Sequence, residues 1–147
     1  MRILVINGPN LNLLGLREPG IYGRTTYPEL CALIRAHCEK RGAAVSIYQS
    51  NHEGDLVDRI QSALGEADGI VINPAAYTHT SVALLDALRA VALPAVEVHL
   101  SDVDAREDFR KISFIRPACR KVIMGRGPQG YLDAIDELLR EDKPCAP

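Results

Sequence analysis

The segment Ile3-Leu4-Val5-Ile6 is a continuous apolar run that ends at Asn7 and Gly8. A strand that is covered on both faces is apolar at nearly every position, as in a parallel sheet. Similar runs recur along the 147-residue chain. They lie at Val45–Ile47, Ile70–Ile72, Ala95–Val98 and Val122–Met124. The five runs predict five central strands.

Apolar residues between these runs are spaced three and four apart, which is typical of helices that bury one face. Thr26 with Glu29 matches a capping box at a helix start, and Gly42 marks a helix end. The apolar stripes are Leu30, Leu33, Ile34 and Cys38; Leu56, Val57, Ile60 and Leu64; Val82, Leu85 and Leu88; and Leu132, Ile135, Leu138 and Leu139.

Strands and helices alternate along the whole chain, and this order predicts an α/β fold. We expect a flavodoxin-like doubly wound five-stranded parallel sheet with helices on both faces. The length suits a single domain over residues 1–147. Within it, residues 15–25 are expected to form a lid loop, and residues 141–147 a frayed tail.

Charge and cysteine spacing exclude several classes of function. The net charge is -2 and like charges do not cluster, so neither nucleic acid nor a membrane surface is an expected partner. The apolar run at the start is too short for a signal peptide core, and we expect a cytoplasmic protein. The four cysteines form no C-x-x-C pair, which predicts free thiols and no metal site.

Polar residues follow four of the predicted strands, at the sheet edge where α/β proteins bind ligands. Amides, hydroxyls and imidazoles of this kind suit a small ligand with several hydroxyls and a carboxylate. We interpret Asn51 as a helix cap, whereas Asn12 is either a cap or a ligand contact. The segments are 7–12, 49–54, 73–81 and 99–102.

The long connection from Gly8 to Thr25 carries Arg17 and Tyr22 among four glycines. A nearby cation favours the phenolate form of a tyrosine and can make it a usable base. The spacing alone favours the structural interpretation, in which Tyr22 packs beneath the loop and Arg17 is a solvated charge.

Glu97 and His99 are two apart in a predicted strand, so their side chains share a face. A carboxylate beside an imidazole stabilises its protonated form, which suits a general acid, although a structural histidine fits the same pattern. The glycine pattern from Gly125 to Gly130 favours a tight strand-to-helix turn over a dinucleotide site, because only one helix follows it.

Taken together, these segments resemble the type II 3-dehydroquinases in order and spacing. The resemblance rests on five blocks: Ile6–Asn12; Arg17–Pro19 with Tyr22-Gly23; Gln49–Gly54; Ile72–Ser81; and Glu97–Ser101 with Arg106-Glu107 and Phe109-Arg110. It implies an anti elimination of water from 3-dehydroquinate to 3-dehydroshikimate through an enolate, without cofactor or metal.

The resemblance also implies roles for the reacting groups. Tyr22 would remove a C2 proton, and Arg17 on the lid would keep Tyr22 ionised. Asn10 would position a water that stabilises the enolate. His99, oriented by Glu97, would protonate the C1 hydroxyl as it leaves.

Other positions would bind substrate or come from a neighbouring subunit. The resemblance implies a dodecamer built from trimers, in which Asp86 reaches the site of a neighbour. It assigns substrate contacts to Asn73, His79, Arg110 and the backbone amides of Leu100 and Ser101. The sequence departs from the family at Asp102 and Asp104, where Asn and His are expected, and at Gly20, which adds freedom to the lid.

Two other interpretations stay open at this point. A flavodoxin-like binding or signalling domain could hold a nucleotide, flavin or phosphate at the same edge. Against it, Asn7, Asn10 and Asn12 stand where a phospho-receiver would show paired acids. The chain could also be a catalytically idle homologue retained for assembly.

Overall fold

The computed structural model describes residues 1–16 and 18–140, with the side chain of Tyr22 left out. The strands are β1 (Arg2–Asn7), β2 (Ala44–Gln49), β3 (Gly69–Asn73), β4 (Ala95–His99) and β5 (Lys121–Met124). The helices are α1 (Pro19–Tyr22), α2 (Tyr27–Lys40), α3 (Glu53–Ser62), α4 (Val82–Val91) and α5 (Gln129–Arg140). Short 3-10 helices at Leu11–Leu13, Ala75–His79, Val103–Ala105, Asp108–Lys111 and Arg116–Ala118 connect them.

The strands form one parallel sheet in the order β2-β1-β3-β4-β5. This order is the flavodoxin-like one, so the predicted fold class is confirmed. All residues of β3 and β4 are buried, as the continuous apolar pattern predicted for strands covered on both faces. The predicted tail at 141–147 lies outside the described residues.

Helices cover both faces of the sheet, because alternate strand residues point to opposite sides. Ile3 and Val5 pack with α2 and α5, whereas Leu4 and Ile6 pack with α3 and α4. The capping box at Thr26 and Glu29 starts α2, and Gly42, with φ of 71°, follows its last turn. Both predicted helix boundaries are confirmed.

Three residues of the predicted apolar stripes are exposed instead of buried. Leu33 is 45% exposed, because consecutive helix residues are turned by about 100° and the buried row of α2 is Leu30, Ile34 and Cys38. Leu64 is 59% exposed and lies beyond the end of α3. Val82, at the first turn of α4, is 50% exposed.

The predicted helix cap at Asn51 is wrong. The N-cap of α3 is His52, and the Asn51 Oδ1 accepts a hydrogen bond from the Asn10 N–H at 3.0 Å instead. The partner lies 41 residues earlier in the chain. Local sequence could not reveal this contact, because it depends on the pairing of β1 with β2.

The carboxyl ends of β1 and β3 meet closely at one edge of the sheet. Asn7 and Asn73 are paired in register, and the Gly8 N–H donates to the Asn73 carbonyl at 2.8 Å. A Cβ at Gly8 would lie 2.4 Å from the Pro74 oxygen, so only glycine fits there.

Among the described residues, every helix is too short or too polar to cross a bilayer.

Candidate active site

A cavity opens at this carboxyl edge, where the connections after β1, β3 and β4 converge. The fourth expected polar segment, 49–54, does not line it. The volume of this cavity is about 80 Å³. Seven residues that the sequence singled out lie in its wall: Asn10, Asn73, His79, His99, Leu100, Ser101 and Arg110. The remaining lining residues are Pro9, Leu11, Leu14, Ala75, Ala76, Val103 and Arg106. The expected clustering of polar groups is therefore present in one chain.

Glu97 and His99 form a buried acid–imidazole pair beside the cavity. The Glu97 side chain is fully buried, and its Oε1 lies 2.6 Å from His99 Nε2. Because Nε2 is engaged, Nδ1 is the ring nitrogen left for a ligand. The β4 spacing thus places a carboxylate behind the imidazole, as the sequence predicted.

Two hydroxyls complete the surroundings of the Glu97 carboxylate. Thr78 Oγ1 donates to Oε1 at 2.7 Å, and Ser113 Oγ lies 2.9 and 3.0 Å from the two carboxylate oxygens. Ser113 Oγ also accepts the Arg116 N–H at 3.2 Å, which orients its own hydrogen toward Glu97. A buried carboxylate with this many donors is suited to remain charged.

The pKa of Glu97 follows from two opposed effects. Burial acts to raise it, but the hydrogen bond and charge of His99, with the hydroxyls of Thr78 and Ser113, lower it overall. The Glu97 carboxylate is therefore held in its ionised form against His99 Nε2.

Asn10 sits in a strained turn that a neighbouring connection holds. Its φ is 67°, in the left-handed region, and its N–H donates to Asn51. The amide of Gln49 ties the same turn down by donating to the Gly8 carbonyl at 3.1 Å and to Asn51 Oδ1 at 3.1 Å. Asn12 is exposed and accepts from Gln49 at 3.4 Å, outside the cavity wall. Asn10 thus faces the cavity on a fixed backbone.

Asn73 belongs to a buried polar network that links β1, β3 and α5. Its Nδ2 donates to the Tyr131 hydroxyl at 2.8 Å, and its Oδ1 accepts the Ala75 N–H at 3.1 Å. Tyr131 donates onward to Asn7 Oδ1 at 2.7 Å. These contacts fix the orientation of the Asn73 amide at the cavity wall.

His79 and Arg110 bring further polar groups to the cavity wall. His79 Nδ1 lies 2.7 Å from the Ile112 carbonyl, which leaves Nε2 for a ligand. Burial lowers the pKa of His79, and the charges of His99 and Arg110 act in the same direction. The Arg110 guanidinium bonds Glu107 at 2.8 Å. A neutral imidazole and a cation therefore lie in the same wall.

Besides Glu97, which lies behind His99, three of the expected site residues are not placed in the cavity wall. Arg17 and the side chain of Tyr22 lie outside the described residues, although the backbone of Tyr22 ends α1. Asp86 is exposed on α4, away from the cavity wall of its own chain. Of the departures from the family, Asp102 accepts the Asp104 N–H at 3.1 Å, and both residues are exposed outside the cavity wall.

Several residues that build the site were not predicted from the sequence. Arg106 lines the cavity and lay within a family block, so the resemblance offered a signal for it. Thr78 stood in the quoted run after β3 without a role. Ser113 and Tyr131 carried no local signal, because they reach the site only through folding.

Within residues 1–16 and 18–140, no three His, Cys, Asp or Glu side chains come together as a metal site would require. The strand-to-helix turn at Gly125 has φ of 75° and leads from β5 to α5, as the turn interpretation of the glycine pattern predicted. Cys31, Cys38 and Cys119 are free thiols, as expected from their spacing.

Residues 1–139 match the model of a protein family described as dehydroquinase class II. The chain is 55% identical over 136 residues to a catabolic 3-dehydroquinase of Aspergillus clavatus, covering 92% of this chain and 91% of that protein. It is 50% identical over 140 residues to a 3-dehydroquinate dehydratase of Lachnoclostridium phytofermentans, with 95% and 97% covered. Among solved structures, a type II dehydroquinase from Butyrivibrio crossotus superimposes with a TM-score of 0.93 at 52% identity, with 95% and 97% covered.

Proposed function

Because this chain belongs to the class II dehydroquinase family, we propose that it is a hydro-lyase acting on 3-dehydroquinate. It removes water by anti elimination and releases 3-dehydroshikimate. The observation that carries the proposal is the Glu97–His99 pair beside a cavity lined by amides, an imidazole and arginines. This equipment fits a small polyhydroxylated carboxylate, which is the chemical class of the substrate.

The proposed acid is His99, acting through Nδ1. In the proposed reactive form both ring nitrogens carry a proton, and Nε2 donates its own to Glu97 at 2.6 Å. As the C1–O bond breaks, the Nδ1 proton passes to the leaving oxygen and water departs. The neutral imidazole that results keeps its hydrogen bond to Glu97. A positioned acid of this kind contributes roughly 10²–10⁴-fold in rate.

The proposed base is Tyr22, with Arg17 supporting its phenolate. The phenolate takes the C2 proton, and the electron pair left behind forms the enolate of the adjacent ketone. Asn10, on its restrained turn, would hold a water against the enolate oxygen. The enolate then re-forms the ketone while a double bond forms between C1 and C2 and the C1–O bond breaks. The leaving hydroxyl takes the proton of His99 and departs as water.

The remaining wall residues are proposed to bind the substrate. Asn73 and His79 offer an amide and a neutral imidazole to hydroxyls, and Arg110 offers positive charge to the carboxylate. The backbone amides of Leu100 and Ser101, directly after β4, complete this set. None of these contacts requires a metal or a cofactor.

Assembly and location remain part of the proposal. A dodecamer built from trimers would bring the exposed Asp86 of one subunit to the site of another. Light scattering on the purified protein would detect it, and a stable active monomer would contradict it. The cytoplasmic location expected from the sequence would be tested by cell fractionation.

The direct test is a rise in ultraviolet absorbance when the purified chain meets 3-dehydroquinate, with and without a chelator. We expect turnover that a chelator leaves unchanged. Tyr22→Phe should lower kcat by at least about 10²-fold, because phenylalanine cannot accept a proton. Tyr48→Phe is the matched control, since Tyr48 lies on β2 outside the cavity wall, and it should keep wild-type activity. Absence of turnover, or full activity of Tyr22→Phe, would overturn the respective assignment.

A further inference from the structure

Tyr131 is the largest fully buried side chain described, and its hydroxyl bonds Asn73, which lines the proposed site. It belongs to the first turns of α5, 58 residues after Asn73 and 124 after Asn7. Neither the proposed chemistry nor the resemblance uses it. A buried hydroxyl between two asparagines therefore needs its own explanation.

The hydrogens of this network have only one arrangement. A tyrosine hydroxyl has a single hydrogen, and Asn7 Oδ1 at 2.7 Å can only accept it. The hydroxyl oxygen must then accept from Asn73 Nδ2 at 2.8 Å. Burial raises the pKa of Tyr131, so the phenol keeps its hydrogen over the working range of pH. The direction of each bond is thereby fixed.

Two anchors together determine the plane of the Asn73 amide. The Ala75 N–H bonds Oδ1 at 3.1 Å, but that contact alone would allow the amide group to rotate about the oxygen. The Tyr131 hydroxyl bonds Nδ2 and prevents this rotation. Asn73 is 3% exposed and lines the cavity, so its second N–H is the one left for a ligand.

We propose that Tyr131 is a positioning residue for substrate binding: its hydroxyl aims the second Nδ2 hydrogen of Asn73 into the cavity, toward a substrate oxygen. The inference rests on the proposed function and deepens it. A contact of this kind is made equally in the ground state and in the transition state. Its loss therefore raises KM and leaves kcat nearly unchanged.

The test is Tyr131→Phe, which deletes one oxygen and keeps the ring in the core. We expect KM for 3-dehydroquinate to rise about tenfold, as for one misplaced hydrogen bond, with kcat within about twofold of wild type. KM does not depend on the amount of folded enzyme, so a lower stability of the variant leaves this readout intact. An unchanged KM would overturn the inference.

Tyr27→Phe is the matched control, because it removes a hydroxyl from the far end of the same network. Tyr27 accepts from Asn7 Nδ2 at 3.4 Å and does not touch Asn73 through any described hydrogen bond. We expect KM and kcat of this variant within about twofold of wild type. A tenfold rise in its KM would show a general loosening of the network and would overturn the specific role of Tyr131.

A double-mutant cycle with Asn73→Ala separates positioning from simple packing. If Tyr131 acts through Asn73, Tyr131→Phe should not raise KM further once Asn73 is alanine. An equal tenfold rise in both backgrounds would overturn the inference. Wild-type turnover is measured first: its absence refutes the proposed function, whereas an active wild type with an unchanged Tyr131→Phe refutes only the role of Tyr131.

Discussion

Ser113→Ala should destabilise the folded protein through Glu97, a residue 16 positions away. The serine hydroxyl lies 2.9 and 3.0 Å from the two oxygens of a fully buried carboxylate. Its removal also leaves the Arg116 N–H without its described acceptor. A hydrogen bond to a charged group contributes roughly 1.5–3 kcal/mol. We therefore expect a loss of about 2 kcal/mol in the free energy of unfolding at pH 7, or about thirtyfold in the folded-to-unfolded ratio.

The size of this loss should depend on pH in a definite direction. In the folded state the pKa of Glu97 lies below its ordinary value of 4.5. The ionised carboxylate therefore makes its full contribution to stability above pH 4.5. As the pH falls through the folded-state pKa, Glu97 takes up a proton and this contribution disappears. The charge-assisted part of the Ser113 bond disappears with it. The difference between wild type and Ser113→Ala should therefore narrow as the pH falls from 4.5 through the lower folded-state pKa of Glu97.

Urea unfolding at pH 7 and at a series of pH values below 4.5, followed by circular dichroism, measures both effects. The protein concentration is held constant, because the stability of an oligomer depends on it. The control is Ser62→Ala, where an exposed hydroxyl bonds Arg59, and we expect a change below about 0.5 kcal/mol. A Ser113→Ala loss no larger than that of the control at pH 7, or one that stays the same at every pH of the series in which the protein is folded, would refute the reasoning.

Three further outcomes follow from local contacts. Gly8→Ala should lose about 2 kcal/mol of stability and most activity, because its Cβ would lie 2.4 Å from the Pro74 oxygen beside the cavity; unchanged urea unfolding would contradict this. Thr26→Ala removes the capping box of α2 and should cost about 1 kcal/mol, which Thr26→Ser should restore in the same assay. The imidazole of His79 should titrate below pH 6.5 in NMR spectra, because burial lowers its pKa. Below pH 6.5 the unfolded chain then binds more protons than the folded one, so the free energy of unfolding falls with pH. A titration midpoint at or above 6.5 would exclude this loss of stability from His79.

Most of the fold could be predicted from the sequence, because its signals are local. The apolar runs such as Ile3–Ile6 are read from neighbouring residues alone, and each predicted run lies in a strand of the sheet. The capping box at Thr26 and the stop at Gly42 are equally local and were confirmed. Two errors arose at the borders of the apolar stripes. Leu33 has the right spacing but lies on the exposed side of α2, and Leu64 lies past the end of α3.

The cavity wall was also largely predictable, for a topological reason. The carboxyl ends of parallel strands meet at one edge, so polar residues that follow β1, β3 and β4 must converge. Asn10, Asn73 and His99 line the same cavity on that account. The identity of the reaction was inferred from the family resemblance, since amides and imidazoles alone fit several ligands.

The support behind these residues was decided only by tertiary structure. The sequence by itself determined that Glu97 and His99 share a face, because strand geometry repeats every two residues. It could not determine that Ser113 would hold the Glu97 carboxylate or that Tyr131 would hold Asn73. Those contacts join residues 16 and 58 positions apart, and side chains at such separations meet only after the sheet has paired and the helices have packed on it.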